Sequence, residues 1–150
     1  MLFRSLGLKE GDIADQSLWV NSGSEQLIVP LASEDAVRRV KISFDALSRV
    51  TQDGPRAQAY VFAATGTDTL LSRFFFSKGE SLLEDPATGS ATANLGGWYL
   101  ANSASLPLTK TISQGEMAGR PSTLHLRIDA ERNVFVAGEV IELGRGHVEM

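Results

Sequence analysis

The chain has 150 residues, 43% hydrophobic and 21% charged, with a net charge of −4. Residues 1–150 read as a single globular domain with room for a proper core, and the fourteen scattered basic residues argue against a nucleic-acid partner. The absence of cysteine excludes disulfides, thiolate zinc sites and any acid–base chemistry that uses a pair of thiols. Met1–Gly11 has no long apolar run, so neither a signal peptide nor a membrane anchor is expected, and a cytoplasmic protein fits.

Met1–Asp15 is a mixed entry segment without periodicity. Ser17–Asn21 and Gln26–Leu31 read as strands of a hairpin joined by the turn residues Ser22-Gly23-Ser24. Ser33 begins a helical piece with Ala36, Val37 and Val40 on one face. Ser43 can cap a second helix carrying Phe44, Leu47 and Val50, stopped by Asp53-Gly54-Pro55. Strands follow at Ala57–Ala64 and Leu70–Phe76, with Thr65–Asp68 as the turn, and polar Ser77–Ser81 leads on.

The stretch from Glu84 to Leu100 is the one around which the rest is organised. Asp85 fits an N-cap and Pro86 a first helical position. No charged side chain occurs from Pro86 to Thr109. A helix without a charged face is expected to be buried on all sides, and this one is too polar for a membrane span. Beyond Pro107, Lys110–Gln114 and Thr123–Ile128 read as strands around a Gly-rich turn. In the second, Leu124, Leu126 and Ile128 alternate with His125 and Arg127. Asp129–Asn133 is a hairpin turn, Val134–Leu143 a last long strand and Gly144–Met150 a tail. This order predicts an α+β fold, with a mixed curled sheet wrapped round one central buried helix.

Glu84-Asp-Pro-Ala-Thr-Gly-Ser-Ala91 resembles the signature of the PhzF-like phenazine-biosynthesis family, relatives of diaminopimelate epimerase. Gln114-Gly115 with Gly119-Arg120-Pro121-Ser122 resembles a second family motif, and Arg73-Phe74-Phe75-Phe76 also fits. The resemblance covers most of the chain but only the C-terminal half of a typical member. It implies an epimerase-like half-barrel. It also implies proton transfer on a small carboxylic acid without metal or organic cofactor; the phenazine-pathway member isomerises a dihydro-hydroxyanthranilate. The N-terminal half, bearing the glutamate thought to move the proton, has no counterpart here.

Pattern alone makes Asp85 a helix cap. The resemblance makes it the catalytic-site aspartate, holding substrate or sharing a proton with the absent glutamate. Glu84 is then an outward or supporting residue. Thr88, Gly89 and Ser90 are either small residues for close packing or a cradle for a substrate carboxylate at a helix N-terminus. The resemblance favours the cradle; with no Lys following, it is not a P-loop. Arg120 either pairs with a nearby acid or shapes the loop at the site mouth, and Gln114 and Gly115 are structural. Trp98 and Tyr99 are expected in a core or interface. His125 and His147 are expected at the surface, and no metal site is expected.

The expected partners are a small carboxylate and either a second copy of the chain or a separate chain supplying the other half, without nucleic acid or membrane. A half-enzyme completed by another chain, a homodimer and a non-catalytic binding or assembly module all remain open.

Overall fold

The computed structural model describes residues 2–51 and 57–149. Among them, eight strands form one sheet. They are β1 (Leu18–Asn21), β2 (Glu25–Pro30), β3 (Gln58–Ala64), β4 (Thr69–Lys78), β5 (Ser81–Asp85), β6 (Leu108–Gln114), β7 (Ser122–Ile128) and β8 (Val134–Gly138). The order is β1-β2-β3-β4-β6-β7-β8, with β5 beside β4. The β2–β3 and β4–β6 pairs are parallel and the others antiparallel. The helices are α1 (Leu2–Ser5), α2 (Glu34–Arg39), α3 (Phe44–Val50) and α4 (Gly89–Ala101), with a short 3-10 turn at Glu10–Asp12.

The period-two pattern of β2, β3 and β4 divides the core into two layers. Leu27, Val29, Ala59, Val61, Leu71 and Phe75 face the convex side. There they pack on Leu6, Ala36, Val37, Val40 and Leu47 from the small helices and their flanks. Ile28, Tyr60, Phe62, Leu70 and Phe74 face the concave side with Ile112, Leu124, Leu126 and Ile128, around Ala91, Leu95 and Trp98 of α4. The sheet is thus a mixed, curled half-barrel packed against α4, as expected.

Two glycines let its edges close on the helix. A Cβ at Gly96 would stand 2.6 Å from Val134 Cγ1, and one at Gly97 would stand 2.6 Å from Val20 Cγ1. Strands β8 and β1 therefore reach α4 at successive residues.

Ser33 and Ser43 cap α2 and α3 as expected, each accepting from the third amide on. The expected stop at Asp53-Gly54-Pro55 lies outside the described residues. Four expectations are corrected. The entry segment contains α1 and the 3-10 turn. The polar stretch after β4 turns back at Gly79 (φ +60°) into β5, so Glu84-Asp85 end a strand. Helix α4 consequently starts at Gly89 with Thr88 in the cap position, rather than at Pro86. It is buried through Ala91, Thr92, Asn94, Leu95, Gly96 and Trp98, while Gly89 and Ser90 are exposed at the barrel mouth. Finally, β8 ends at Gly138, where its ladder with β7 stops at Leu124, and residues 139–149 are exposed without regular structure.

Candidate active site

The site forms where β4 forks. Thr69–Leu71 of β4 pair with β6, and Phe74–Lys78 pair with β5 along the same edge. The ends of β5 and β6 therefore meet, bringing Asp85 to Gln114 in front of the N-terminus of α4.

Gln114 is 1% exposed and spans the junction. Its Nε2 donates to the Asp85 carbonyl at 2.8 Å and to Thr88 Oγ1 at 2.9 Å, and its Oε1 accepts from the Thr88 amide at 3.4 Å. The Thr88 hydroxyl in turn donates to Asp85 Oδ2 at 2.6 Å. The carboxylate of Asp85 is thus held by a side-chain hydroxyl and does not cap the helix amides.

Gly115 follows at φ +86°, and a Cβ there would lie 2.2 Å from the Arg120 carbonyl oxygen and 2.6 Å from that of Pro86. Only glycine fits both the conformation and this close backbone approach. The loop closes through the Arg120 amide on the Gly115 carbonyl at 2.9 Å.

The other flank of α4 is held by a network that sequence reasoning missed. Buried Asn94 donates to Gln26 Oε1 at 2.8 Å and to the Ser24 carbonyl at 2.7 Å, and accepts from the Ser22 amide at 2.8 Å. Gln26 Nε2 then donates to Ser90 Oγ at 3.1 Å. A polar Asn among the small residues of an otherwise apolar helix face was the available signal, since a buried amide needs partners. Because Ser90 is an acceptor here, its own proton remains available for a ligand.

An open cleft of about 320 Å³ lies against this helix end, lined by Ser24, Gln26, Gln58, Phe74, Phe76, Asp85 and Ser90. Tyr60, Phe74 and Asp85 stand in one row across three strands, and Gln58, Phe76 and Leu83 in the next. Phe74 and Phe76 stack, with ring centroids 6.1 Å apart, as its aromatic floor. The amides of Gly89, Ser90 and Ala91 have no partner among the described residues. With the positive end of the helix dipole, they suit an anion.

Of the residues singled out from the sequence, Asp85, Thr88, Gly89, Ser90, Gln114 and Gly115 come together. Arg120 does not line the cleft, and its exposed side chain makes no ion pair among the described residues, so neither reading of it gains a contact. Of the two readings of Glu84, outward or supporting, the structure shows the supporting one, as a half-buried ion-pair partner. It holds Arg73 through Nε–Oε1 at 3.0 Å and Nη2–Oε2 at 2.8 Å, while Arg73 Nη1 donates to the Val40 carbonyl at 2.9 Å. Adjacent residues of a strand point to opposite faces, so Glu84 anchors the convex side and frees Asp85 for the concave one.

Tyr60 is fully buried, and burial, only partly opposed by Ser72 and Thr92, pushes its phenol up to about 12. Tyr99 rises to about 12 for the same reason. Trp98 donates to the Gln16 carbonyl at 2.9 Å and meets Phe62 edge-on, as a core residue should. His125 and His147 are exposed, and no cluster of three metal-binding side chains occurs among the described residues. Nor is any helix there long and apolar enough to cross a membrane.

Residues 5–146 match the family model described as phenazine biosynthesis-like protein, PhzC–PhzF. An uncharacterized isomerase of Pasteurella multocida is 37% identical over 143 residues, covering 95% of this chain and 47% of that protein. One of Pseudomonas aeruginosa is 28% identical over 149 residues, covering 99% and 51%. Among solved structures, a predicted epimerase of Pseudomonas aeruginosa superposes with a TM-score of 0.71 at 22% identity, covering 98% of this chain and 50% of that one. A Bacillus anthracis phenazine biosynthesis protein of the PhzF family gives a TM-score of 0.70 at 21% identity, covering 90% and 49%. The chain spans about half the length of the curated relatives it matches, in agreement with the half-barrel found here. It belongs to the phenazine biosynthesis-like (PhzC–PhzF) family.

Proposed function

We propose that the chain is the substrate-holding half of a cofactor-independent isomerase that moves a proton on a small carboxylic acid. The observation that carries this reading is the set of free amides at Gly89–Ala91, with the Ser90 hydroxyl and the Asp85 carboxylate, on one open cleft. The substrate carboxylate would take the amides and the Ser90 proton. Its ring or chain would lie over Phe74 and Phe76, with Asp85 accepting from a hydroxyl or amino group. The isomerase descriptions of the relatives supply the reaction class.

Proton transfer on carbon needs an acid–base group on the reacting atom. Among the described residues, Asp85 is the single ionisable side chain lining the cleft, and buried Tyr60 stays neutral at physiological pH. A second half-domain over the mouth would complete the site. The same observation favours one alternative, a binding or assembly module without catalysis.

Solvent-deuterium incorporation into a dihydro-hydroxyanthranilate-type acid separates the two. The isomerase reading expects incorporation by the assembled protein and at least a hundredfold loss with Asp85→Asn. Incorporation that survives the change overturns the role of Asp85. Carboxylate binding with no incorporation under any assembly establishes the binding module.

A further inference from the structure

Hydrogen-bond polarity passes from the backbone of the β1–β2 turn to the cleft through two buried amides. Gly23, at φ +124°, and the Asn21 side chain, which accepts from the Gly23 amide at 2.9 Å, shape that turn. It aims the Ser22 amide and the Ser24 carbonyl at Asn94, which is fully buried on α4. A backbone N–H can only donate and a carbonyl can only accept. Asn94 Oδ1 therefore accepts from the Ser22 amide at 2.8 Å and from the Ser22 hydroxyl at 2.6 Å. Its Nδ2 donates to the Ser24 carbonyl at 2.7 Å and to Gln26 Oε1 at 2.8 Å. Both of its protons and its oxygen are committed.

The orientation of Gln26 follows from that of Asn94. Gln26 is 2% exposed, so a mismatched amide there would pay the full cost of a buried unpaired group. Turning Asn94 over would set its NH2 against the Ser22 N–H. Turning Gln26 over would set two NH2 groups face to face. With Oε1 on Asn94, Gln26 Nε2 points to Ser90 Oγ at 3.1 Å. An amide nitrogen accepts nothing, so Ser90 is the acceptor in that bond. Ser90 is exposed and lines the cleft, and this is the one hydrogen bond of its hydroxyl among the described residues.

We propose that Gln26, fixed by Asn94, is a positioning residue that locks Ser90 as a donor, so that the ligand group meeting Ser90 must be an acceptor. A free serine hydroxyl gives or takes a hydrogen bond equally well. With the bond from Gln26, the helix end offers the cleft donors alone, from the Ser90 hydroxyl and the amides of Gly89, Ser90 and Ala91. It thereby favours an anionic oxygen and rejects an ammonium or amide N–H, which would set donor against donor. The inference rests on the reading that a carboxylate binds this helix end, and adds the residues that set its polarity.

Two measurements test it, one of them without ligand. Ser90→Ala changes an exposed position, and in the free chain it should shift the side-chain amide signal of Gln26 in the NMR spectrum. A Gln26 signal that does not move overturns the lock. In benzoate titrations, Gln26→Met should weaken binding about fivefold in the otherwise unchanged chain, the order of one net hydrogen bond. In the Ser90→Ala chain the same change should weaken it by about twofold or less, because the hydroxyl it positions is gone. Equal losses in both chains would make Gln26 a packing residue only and overturn the proposal. If benzoate leaves Gly89–Ala91 untouched while Ser90→Ala still moves the Gln26 signal, the carboxylate reading falls and the lock on Ser90 stands.

Discussion

Gln114 holds the junction that Asp85 and Thr88 share, with three hydrogen bonds from one buried side chain. Gln114→Leu keeps the volume but strands the Thr88 amide and the Asp85 carbonyl. The expected loss is about 2–4 kcal/mol in urea unfolding, because buried unpaired groups cost about 1–3 kcal/mol each. The two tyrosines set a separate pH signature. Both phenols titrate near 12 when folded against an ordinary 10, so each contributes stability that is fully present below pH 10. As pH rises from 10 toward 12, the unfolded chain releases protons that the folded chain keeps, and stability falls. Tyrosinate absorbance should therefore stay low in the folded protein at pH 10–11 and appear together with unfolding; half-titration at pH 10 without unfolding would contradict the burial. The aspartate and the helix-end residues were legible in the sequence through a local motif. The partners of Asp85 were not, because Gln114 reaches it only when β5 and β6 meet, 29 residues apart.

At the scale of elements, β5 is what local pattern missed. Asp85-Pro86 satisfies the rules for a helix start, but the ladder with β4 and the Arg73–Glu84 pair extend a strand through Asp85. Those contacts are non-local, and they moved the start of the helix to Gly89. Removing Glu84 leaves the guanidinium of Arg73 buried with carbonyls alone. Glu84→Leu should cost about 3–5 kcal/mol, read from the shift in urea midpoint. It should also weaken carboxylate binding, because β5 carries Asp85. The helix–sheet seam offers a reversible test. Gly97→Ala gains helix propensity of about 1 kcal/mol but drives a methyl onto Val20, and overpacking costs about 1–3 kcal/mol. Net destabilisation is expected in the single variant and recovery in Gly97→Ala with Val20→Ala; simple additivity of the two changes would refute the contact.

For the whole molecule, the half-barrel was legible because the uncharged helix demanded a wrapping, and because β2, β3, β4 and β7 carry clear apolar patterns. The end of the last strand was not legible, since Val140–Leu143 reads as strand but pairs with no neighbour among the described residues. The chain spans about half the length of its relatives, and the amides at the end of α4 have no partner among the described residues. The central claim is that this helix end receives a carboxylate. Its direct test is an amide NMR titration of the labelled chain with a small aromatic carboxylate such as benzoate, with chloride as the control. The account predicts saturable shifts confined to Gly89, Ser90, Ala91 and the Gln26 side chain. Unchanged amides at Gly89–Ala91, with shifts elsewhere or none, would contradict it.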